Sequence, residues 1–189
     1  LVVALLARAG IPARLTREPG GSLGGEAIRR LLLEGEAALI AVGEVLLFSA
    51  ARRDHVARLI APALAQGVWV VCDRFADSTL AYQGYGRGLP LADLVAIERF
   101  TLGDFAPDLT LILDLPVAEG LKRVAQRRGP ADRFERQDRA FHERLRQGYR
   151  AIAAQHPERC VLIDAAGEVE SVHRAIAAVL ALRLGLAPG

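Results

Sequence analysis

Four short apolar segments, separated by helix-like stretches, constrain the fold of this chain more than any other feature. The segment "VWVVCD" (68–73) is continuously apolar and rich in β-branched residues, which is typical of a strand covered on both faces. The other three are "PARLTRE" (12–18), "DLTLILDL" (108–115) and "RCVLIDA" (159–165). Strands that alternate with helices indicate βαβ units with right-handed crossovers. We therefore predict a three-layer α/β fold, with a doubly wound parallel sheet flanked by helices.

The helix-like segments lie between and around these strands. Helical periodicity covers residues 25–33, 42–67, 91–105, 117–127, 137–155 and 169–184, and Pro62 is expected to interrupt the second of these helices. The sequence has no internal repeat, low-complexity tract or linker, and 189 residues is a suitable length for one domain. Residues 1–189 are therefore predicted to form a single domain.

Composition excludes some classes of partner. The chain carries 24 basic and 22 acidic residues, and its net charge of +2 gives no sign of binding to polymeric nucleic acid or to a membrane. Its apolar runs are shorter than the roughly 18 residues of a membrane span, and we recognise no signal peptide. Cys72 and Cys160 lie far apart without metal-ligand spacing. We expect a cytoplasmic protein with two free buried thiols and with all four histidines at the surface.

Polar residues follow every predicted strand, at the edge of the sheet where open parallel sheets bind ligands. These are "TREPGG" (16–21), "DRFADSTLAYQ" (73–83), "DLP" (114–116) and "DAAG" (164–167). In the first, Arg17 can fork onto a phosphate, and Glu18 can act on the water shell of a metal ion. A turn with a surface ion pair is an equally good interpretation of this loop alone. Charges of both signs suit an anionic substrate that arrives with a metal ion.

Phe48 and Arg52 form a second candidate pair in the long predicted helix. They are four residues apart and therefore share a helix face. An aromatic ring with a guanidinium one turn later can stack on a planar base and hydrogen-bond to its edge. Taken alone, however, an aromatic core residue beside a surface arginine is the more frequent arrangement.

The stretch 73–83 has the densest set of polar side chains. Asp73 ends a buried strand, where a carboxylate needs a partner, and Arg74 can make bidentate contacts to a phosphate. The following helical turns bring four more polar side chains near the strand end: Ser78, Thr79, Tyr82 and Gln83. The structural alternative is an N-capping cluster at Asp77 or Ser78, which leaves the Asp-Arg pair unexplained.

Five ordered motifs give the chain a resemblance to a known family. They are "TREPGG", "LLFSAAR", "VCDRFADSTLAYQ", "AYQGYGRG" and "GDFAPDLTLILDLP". Together they resemble segments of bacterial thymidylate kinases from about Gly10 to the C-terminus. The resemblance implies a P-loop nucleoside monophosphate kinase-like fold and the phosphorylation of dTMP to dTDP by ATP, with Mg²⁺ as the accompanying ion.

The resemblance also implies roles for the candidate residues. Phe48 would stack on thymine, Arg52 would bond its O4 edge, and Thr79 would lie near N3. Arg74 would hold the phosphate of dTMP, and Tyr82 would crowd the 2′ position of the sugar and favour deoxyribose. The other residues implied at the substrate site are Glu18 and Asp73, near the sugar or indirectly at the magnesium shell, and Ser78 and Gln83.

A run of basic residues at 122–139, broken by a Gly-Pro pair, resembles the LID of these kinases. Taken alone, such a run is usually a solvated helix face. Phosphoryl transfer, however, needs positive charge around the moving group, in a water-poor site that forms on closure. In the subclass with an arginine-rich LID this segment supplies that charge, and the candidates are Arg123, Arg127, Arg128 and Arg133.

One family motif has no counterpart in these residues, namely the Gly-x-x-x-x-Gly-Lys-Ser/Thr loop whose amides hold the phosphates of ATP. The family places it before the helix that ends near Gly10, so we expect roughly 20 further residues upstream. Residues 1–189 alone are expected to bind dTMP without transferring phosphate. Two alternatives stay open, another nucleoside monophosphate kinase and a non-catalytic nucleotide-binding protein.

The resemblance also implies a homodimer formed through the helices that begin at Val42 and Leu91.

Overall fold

Four strands in two parallel pairs form the centre of the computed structural model, which describes residues 1–34, 39–127 and 132–186. They are β1 (Ala13–Arg17), β2 (Trp69–Asp73), β3 (Thr110–Asp114) and β4 (Cys160–Asp164). In the described residues β1 pairs with β2 and β3 pairs with β4, both in parallel. The four predicted strands are confirmed, as is parallel pairing within each of the two pairs, and the segments between the strands contain helices, as an α/β fold requires.

The helices of the described ranges surround these strands. They are α1 (Val2–Arg8), α2 (Leu23–Glu34), α3 (Ala41–His55), α4 (Ala61–Ala65), α5 (Ala76–Thr79), α6 (Leu91–Leu102), α7 (Val117–Gln126), α8 (Arg139–Gln155) and α9 (Val169–Leu184). The π-helical segments Val56–Ile60 and Leu80–Gly86 continue α3 and α5. The expected interruption at Pro62 is wrong. Pro62 lies in the first turn of α4, where proline is tolerated, so the chain stays helical from Ala41 to Ala65.

Side-chain caps explain one helix boundary and correct another interpretation. The helix expected over 137–155 begins at Arg139, because the Asp138 carboxylate accepts a hydrogen bond from the Phe141 N–H at 2.7 Å. The N-capping alternative for the stretch 73–83 is wrong. The cap residue of α5 is Phe75, without a side-chain hydrogen bond, while the buried Asp77 forms a bidentate ion pair with Arg159 at 2.7 and 2.8 Å.

Three apolar clusters hold the helices on the strands. The first joins β3 to α8 and the π-helical segment at 80–86 through Ala81, Ile112, Phe134, Phe141, Leu145 and Ile152. The second packs Val56, Leu59, Ile60 and Leu102 beneath Val70 and Phe75, and the third packs α9 on β4 through Ile163, Ile176 and Leu180. The register aligns Arg17 with Asp73 and Asp114 with Asp164, so the polar strand ends lie side by side within each pair.

Helices α3 and α6 pack together and leave large apolar side chains in solvent. Val42 and Leu46 on α3 are 48% and 54% exposed, while Val95 and Phe100 on α6 are 52% and 88% exposed. These helices are therefore candidates for a contact with another protein surface. Within the described ranges, no helix has the length and apolar character required to cross a membrane.

Candidate active site

A cavity that is partly open to solvent lies at the carboxyl ends of β1 and β2. Eight of the nine residues predicted to bind substrate line it, namely Glu18, Phe48, Arg52, Arg74, Ser78, Thr79, Tyr82 and Gln83. Asp73, the ninth, lies at the exposed end of β2, outside the lining. Arg17 forms an exposed ion pair with Glu26 at 3.3 Å, so the surface interpretation of this loop holds for Arg17 but not for Glu18.

A buried ion pair between Glu18 and Arg52 forms one wall of the cavity. Arg52 Nε donates to Glu18 Oε2 at 2.7 Å, and both side chains are 4% exposed. Arg52 Nη2 also donates to Thr79 Oγ1 at 3.0 Å. Among the described residues, Nη1 of Arg52 has no hydrogen-bond partner, so it remains available to a ligand in the cavity. The alternative interpretation of Arg52 as a surface arginine is therefore wrong.

Aromatic rings form the apolar part of the lining. Phe48 and Tyr82 contact Phe134, with ring centroids 6.2 and 5.5 Å apart. The Arg52 guanidinium lies 5.4 Å from the centre of the Phe75 ring. Rings on several sides and a donor-rich guanidinium at one edge suit a flat heterocyclic ligand.

Arg74 enters the cavity from the end of β2 because its backbone adopts a left-handed conformation, with φ of 69°. This conformation costs a non-glycine residue about 1 kcal/mol. In this conformation the Arg74 guanidinium lies 4.9 Å from the centre of the Tyr82 ring. Nearby, the Ser78 and Tyr149 hydroxyls are hydrogen-bonded at 2.8 Å, and burial raises the pKa of Tyr149 to about 12. The Tyr149 hydroxyl therefore stays protonated at neutral pH.

Glu44, which the sequence did not single out, connects the cavity to the segment after α7. Its side chain is fully buried, and Oε2 accepts a hydrogen bond from Gln83 Nε2 at 3.2 Å. Its Oε1 forms ion pairs with Arg87, at 3.2 Å, and with Arg133. The carboxylate thus orients Gln83 and also fixes a predicted LID arginine against α3.

Two other predicted LID arginines, Arg123 and Arg127, are hydrogen-bonded to protein groups. Arg123 donates to the carbonyl oxygens of Ala165 and Ala166 at 3.1 and 3.3 Å. Arg127 donates to Glu135 at 2.8 Å. Arg128 lies outside the described residues. Within the described part of the segment, the cavity is instead lined by Asp132, Phe134 and Glu135.

His55 is fully buried, so its expected position at the surface is wrong. Its Nδ1 lies 3.1 Å from Glu18 Oε1, and its Nε2 lies 2.8 Å from Thr16 Oγ1. A sequence signal for the residues that were missed does exist. Glu44, Phe48, Arg52 and His55 follow one another at intervals of four, four and three, which places them on one helix face.

The carboxylates of the site limit how a metal ion could bind. Glu18 uses both oxygens, one toward Arg52 and one toward His55, so it is not free to ligate an ion directly. The exposed carboxylate of Asp73 remains accessible to the water shell of an ion. In residues 1–34, 39–127 and 132–186, no group of three or more His, Cys, Asp or Glu side chains is placed to hold a metal.

Parallel strand pairs, with a cavity at the carboxyl ends of β1 and β2 lined by aromatic rings and arginines, define the class of this protein as an α/β protein that binds a flat, anionic ligand. Residues 1–176 match the family model described as thymidylate kinase. The chain therefore belongs to the thymidylate kinase family, whose members are phosphotransferases.

Individual relatives match this chain over most of their length. The chain is 56% identical to a thymidylate kinase of Nitrobacter winogradskyi over 179 residues, which cover 93% of this chain and 77% of the relative. It is 55% identical to a thymidylate kinase of Caulobacter vibrioides over 182 residues, covering 96% and 87%. A crystal structure of thymidylate kinase from Ehrlichia chaffeensis superimposes with a TM-score of 0.72 at 34% identity, covering 95% of this chain and 84% of that one.

Proposed function

We propose that the protein phosphorylates dTMP to dTDP, with ATP as the phosphate donor and Mg²⁺ as the accompanying ion. The observation that carries the proposal is the buried Arg52 guanidinium, which is held at the cavity edge by Glu18 and Thr79 beside an aromatic wall. Family membership favours this activity over another nucleoside monophosphate kinase and over a non-catalytic binding protein.

Base recognition follows from the donor inventory of Arg52. A guanidinium only donates hydrogen bonds, so its Nη1 favours a base with an oxygen at position 4. Thymine and uracil carry that oxygen, whereas cytosine carries an amino group there. Thr79 Oγ1 accepts from Arg52 at 3.0 Å and keeps a second lone pair for the N3–H of thymine. The site therefore selects against cytosine, while Phe48 supplies a face for stacking.

Arg74 and Tyr82 account for the rest of the substrate. We assign the dTMP phosphate to Arg74, a cation that follows β2 and lines the cavity. We assign the 2′ side of the sugar to Tyr82, whose ring lies beside the Arg74 guanidinium. Ser78 and Gln83 support this arrangement, since Tyr149 and Glu44 hold their side chains in place. A ribose hydroxyl would meet the Tyr82 ring, so deoxyribose is favoured.

The transfer step is an in-line attack by an oxygen of the dTMP phosphate on the γ-phosphorus of ATP, in which the bond to the leaving ADP breaks as the bond to dTMP forms, without a covalent enzyme intermediate. Mg²⁺, when bound with ATP, supplies charge neutralisation, and Asp73 can contact its water shell. The LID residues Arg123, Arg127, Arg128 and Arg133 supply further positive charge in this proposal. Arg127 and Arg133 are paired with Glu135 and Glu44, so they must exchange these partners to reach the phosphates.

We also propose a homodimer that buries the exposed apolar face of α3 and α6. Val42, Leu46, Val95 and Phe100 are each about half exposed or more, and burying them on a second copy would remove apolar surface from water.

The two cysteines are free thiols, which supports a reducing compartment such as the cytoplasm.

A coupled turnover assay on full-length protein with dTMP, dUMP and dCMP tests the activity. We expect turnover with dTMP, weaker turnover with dUMP and little with dCMP, whereas equal rates would contradict the base assignment. Calorimetric titration of Arg74→Ala with dTMP tests the phosphate contact, and an affinity loss of about 30-fold or more is expected. Arg58→Ala is the matched control, because Arg58 is 72% exposed, pairs with Asp54 and lies outside the cavity.

A further inference from the structure

A chain of buried hydrogen bonds leads from β1 to the base-facing guanidinium. Thr16 Oγ1 contacts His55 Nε2 at 2.8 Å, His55 Nδ1 contacts Glu18 Oε1 at 3.1 Å, and Glu18 Oε2 accepts from Arg52 Nε at 2.7 Å. Arg52 Nη2 then donates to Thr79 Oγ1 at 3.0 Å. All five side chains belong to buried residues, with relative exposures between 0% and 9%. The position of Arg52 therefore depends on partners in β1, α3 and α5.

Glu18 is the member that orients Arg52, and His55 is the member that orients Glu18. A carboxylate only accepts hydrogen bonds, so His55 Nδ1 must carry the proton in this contact. With one oxygen held by His55, the carboxylate cannot rotate away from Arg52 Nε without breaking a buried hydrogen bond. The plane of the guanidinium, and with it the direction of Nη1, is fixed by this contact.

The His55 ring is itself held on its far side. Its Nε2 meets Thr16, and the loop after β1 packs directly against it. A Cβ atom on Gly21 would lie 2.3 Å from His55 Nε2 and 2.6 Å from Thr16 Oγ1, and the backbone of Gly21 has φ of 79°. Only glycine lets the loop approach this closely, so the ring is enclosed between β1 and the Gly-Gly turn.

We propose that His55 is a positioning residue for base selection, which acts through Glu18 on Arg52 without touching the ligand. Glu18, Arg52 and Thr79 line the cavity, whereas His55 does not. The inference rests on the proposed function, because it takes Arg52 as the group that recognises the base. It adds a buried residue outside the lining to the determinants of selectivity.

Two substitutions at His55 separate its two contacts. The side-chain nitrogen of His55→Asn takes the place of Nδ1, so this variant keeps a donor toward Glu18 and loses the contact with Thr16. The nitrogen of His55→Gln takes the place of Nε2, so this variant keeps the contact with Thr16 and loses the donor toward Glu18. Affinities for dTMP and dCMP are measured by calorimetry for both variants and for the unmodified chain, together with thermal unfolding midpoints.

We expect His55→Gln to bind dTMP about tenfold more weakly while its dCMP affinity stays nearly constant, because cytosine carries an amino group instead of an acceptor at position 4. His55→Asn should keep the affinity ratio of the unmodified chain within about threefold. A residue that only stabilised the fold would lower the unfolding midpoint in both variants and leave the ratio unchanged, and that result overturns the inference.

Failure of the proposed function is recognised separately. If the unmodified chain binds dCMP as tightly as dTMP, the base assignment fails for all variants. If it prefers dTMP and the two variants keep that preference equally, only the role of His55 is refuted. Should His55→Gln fail to fold, His55→Leu gives the second test, because it loses the Thr16 contact as His55→Asn does but also lacks the donor toward Glu18. An unchanged dTMP:dCMP ratio in that variant refutes the proposal.

Discussion

Replacing Arg52 with methionine tests the energetics of the cavity wall. The pair joins Arg52 Nε and Glu18 Oε2 at 2.7 Å with both side chains 4% exposed, so the substitution leaves a carboxylate buried without its main counter-charge. Removing one partner of such a pair costs about 3–5 kcal/mol. His55 still contacts the carboxylate at 3.1 Å, which places the expected loss of unfolding free energy at about 3 kcal/mol.

A double variant separates the uncompensated charge from the lost packing. Adding Glu18→Gln to Arg52→Met removes the buried charge, and we expect it to restore about 1–2 kcal/mol. Urea unfolding followed by circular dichroism, with linear extrapolation, gives the free energies. The control is Arg58→Met, because Arg58 is 72% exposed and its ion pair with Asp54 is worth less than about 1 kcal/mol.

Two results would refute this reasoning. One is a loss in Arg52→Met that equals the loss in the Arg58 control, which would mean that the buried pair is not coupled to folding. The other is a double variant less stable than Arg52→Met alone, which would mean that Glu18 stabilises the fold without its arginine partner.

Three further predictions concern residues around the cavity. Glu44→Gln should lower the free energy of unfolding by about 2 kcal/mol, because a fully buried carboxylate loses charge toward two arginines; urea titration measures this, and unchanged stability contradicts it. The raised pKa of Tyr149, about 12, gives a stabilising contribution that is present below about pH 10 and is lost as the pH rises through about 12. In Tyr149→Phe the unfolding free energy should therefore fall less steeply between about pH 10 and 12, and an equal slope in both proteins would count against this. Gly148→Ala should cost about 1–3 kcal/mol, because the new Cβ would lie 2.7 Å from the Tyr85 side chain, whereas Gly120→Ala, with 3.7 Å to its nearest neighbour, should not destabilise. Thermal unfolding compares the two glycine variants, and equal midpoints would refute the packing argument.

Local patterns predicted the elements of the fold well. The apolar runs ending at Asp73, near Asp114 and near Asp164 became strands, because β-branched residues in short runs prefer a pleated, buried conformation. The Pro62 prediction failed because a local rule about proline did not take into account the π-helical segment that precedes α4. Elements were thus predictable wherever near neighbours in the chain decide the conformation.

The sequence predicted most of the substrate residues that line the candidate cavity, but it did not predict the hydrogen bonds between them. Glu18 and Thr79 were identified because polar residues that follow parallel strands converge, and Arg52 was identified because it shares a helix face with Phe48. Their hydrogen bonds join residues 34 and 27 positions apart, and the ion pair of Glu44 with Arg133 spans 89 positions. The periodicity of residues within a single helix or strand carries no information about partners so far apart in the chain.

The sequence by itself determined the order of strands and helices, the polar strand ends and the family to which the chain belongs. The tertiary structure alone decided that Glu18 is shared between Arg52 and His55, that His55 and Glu44 are buried, and that the described LID arginines contact protein groups. The physical reason is that the spacing of apolar residues indicates which face of a helix or strand is buried. The identity of the atom that meets a buried charge depends on how distant segments pack.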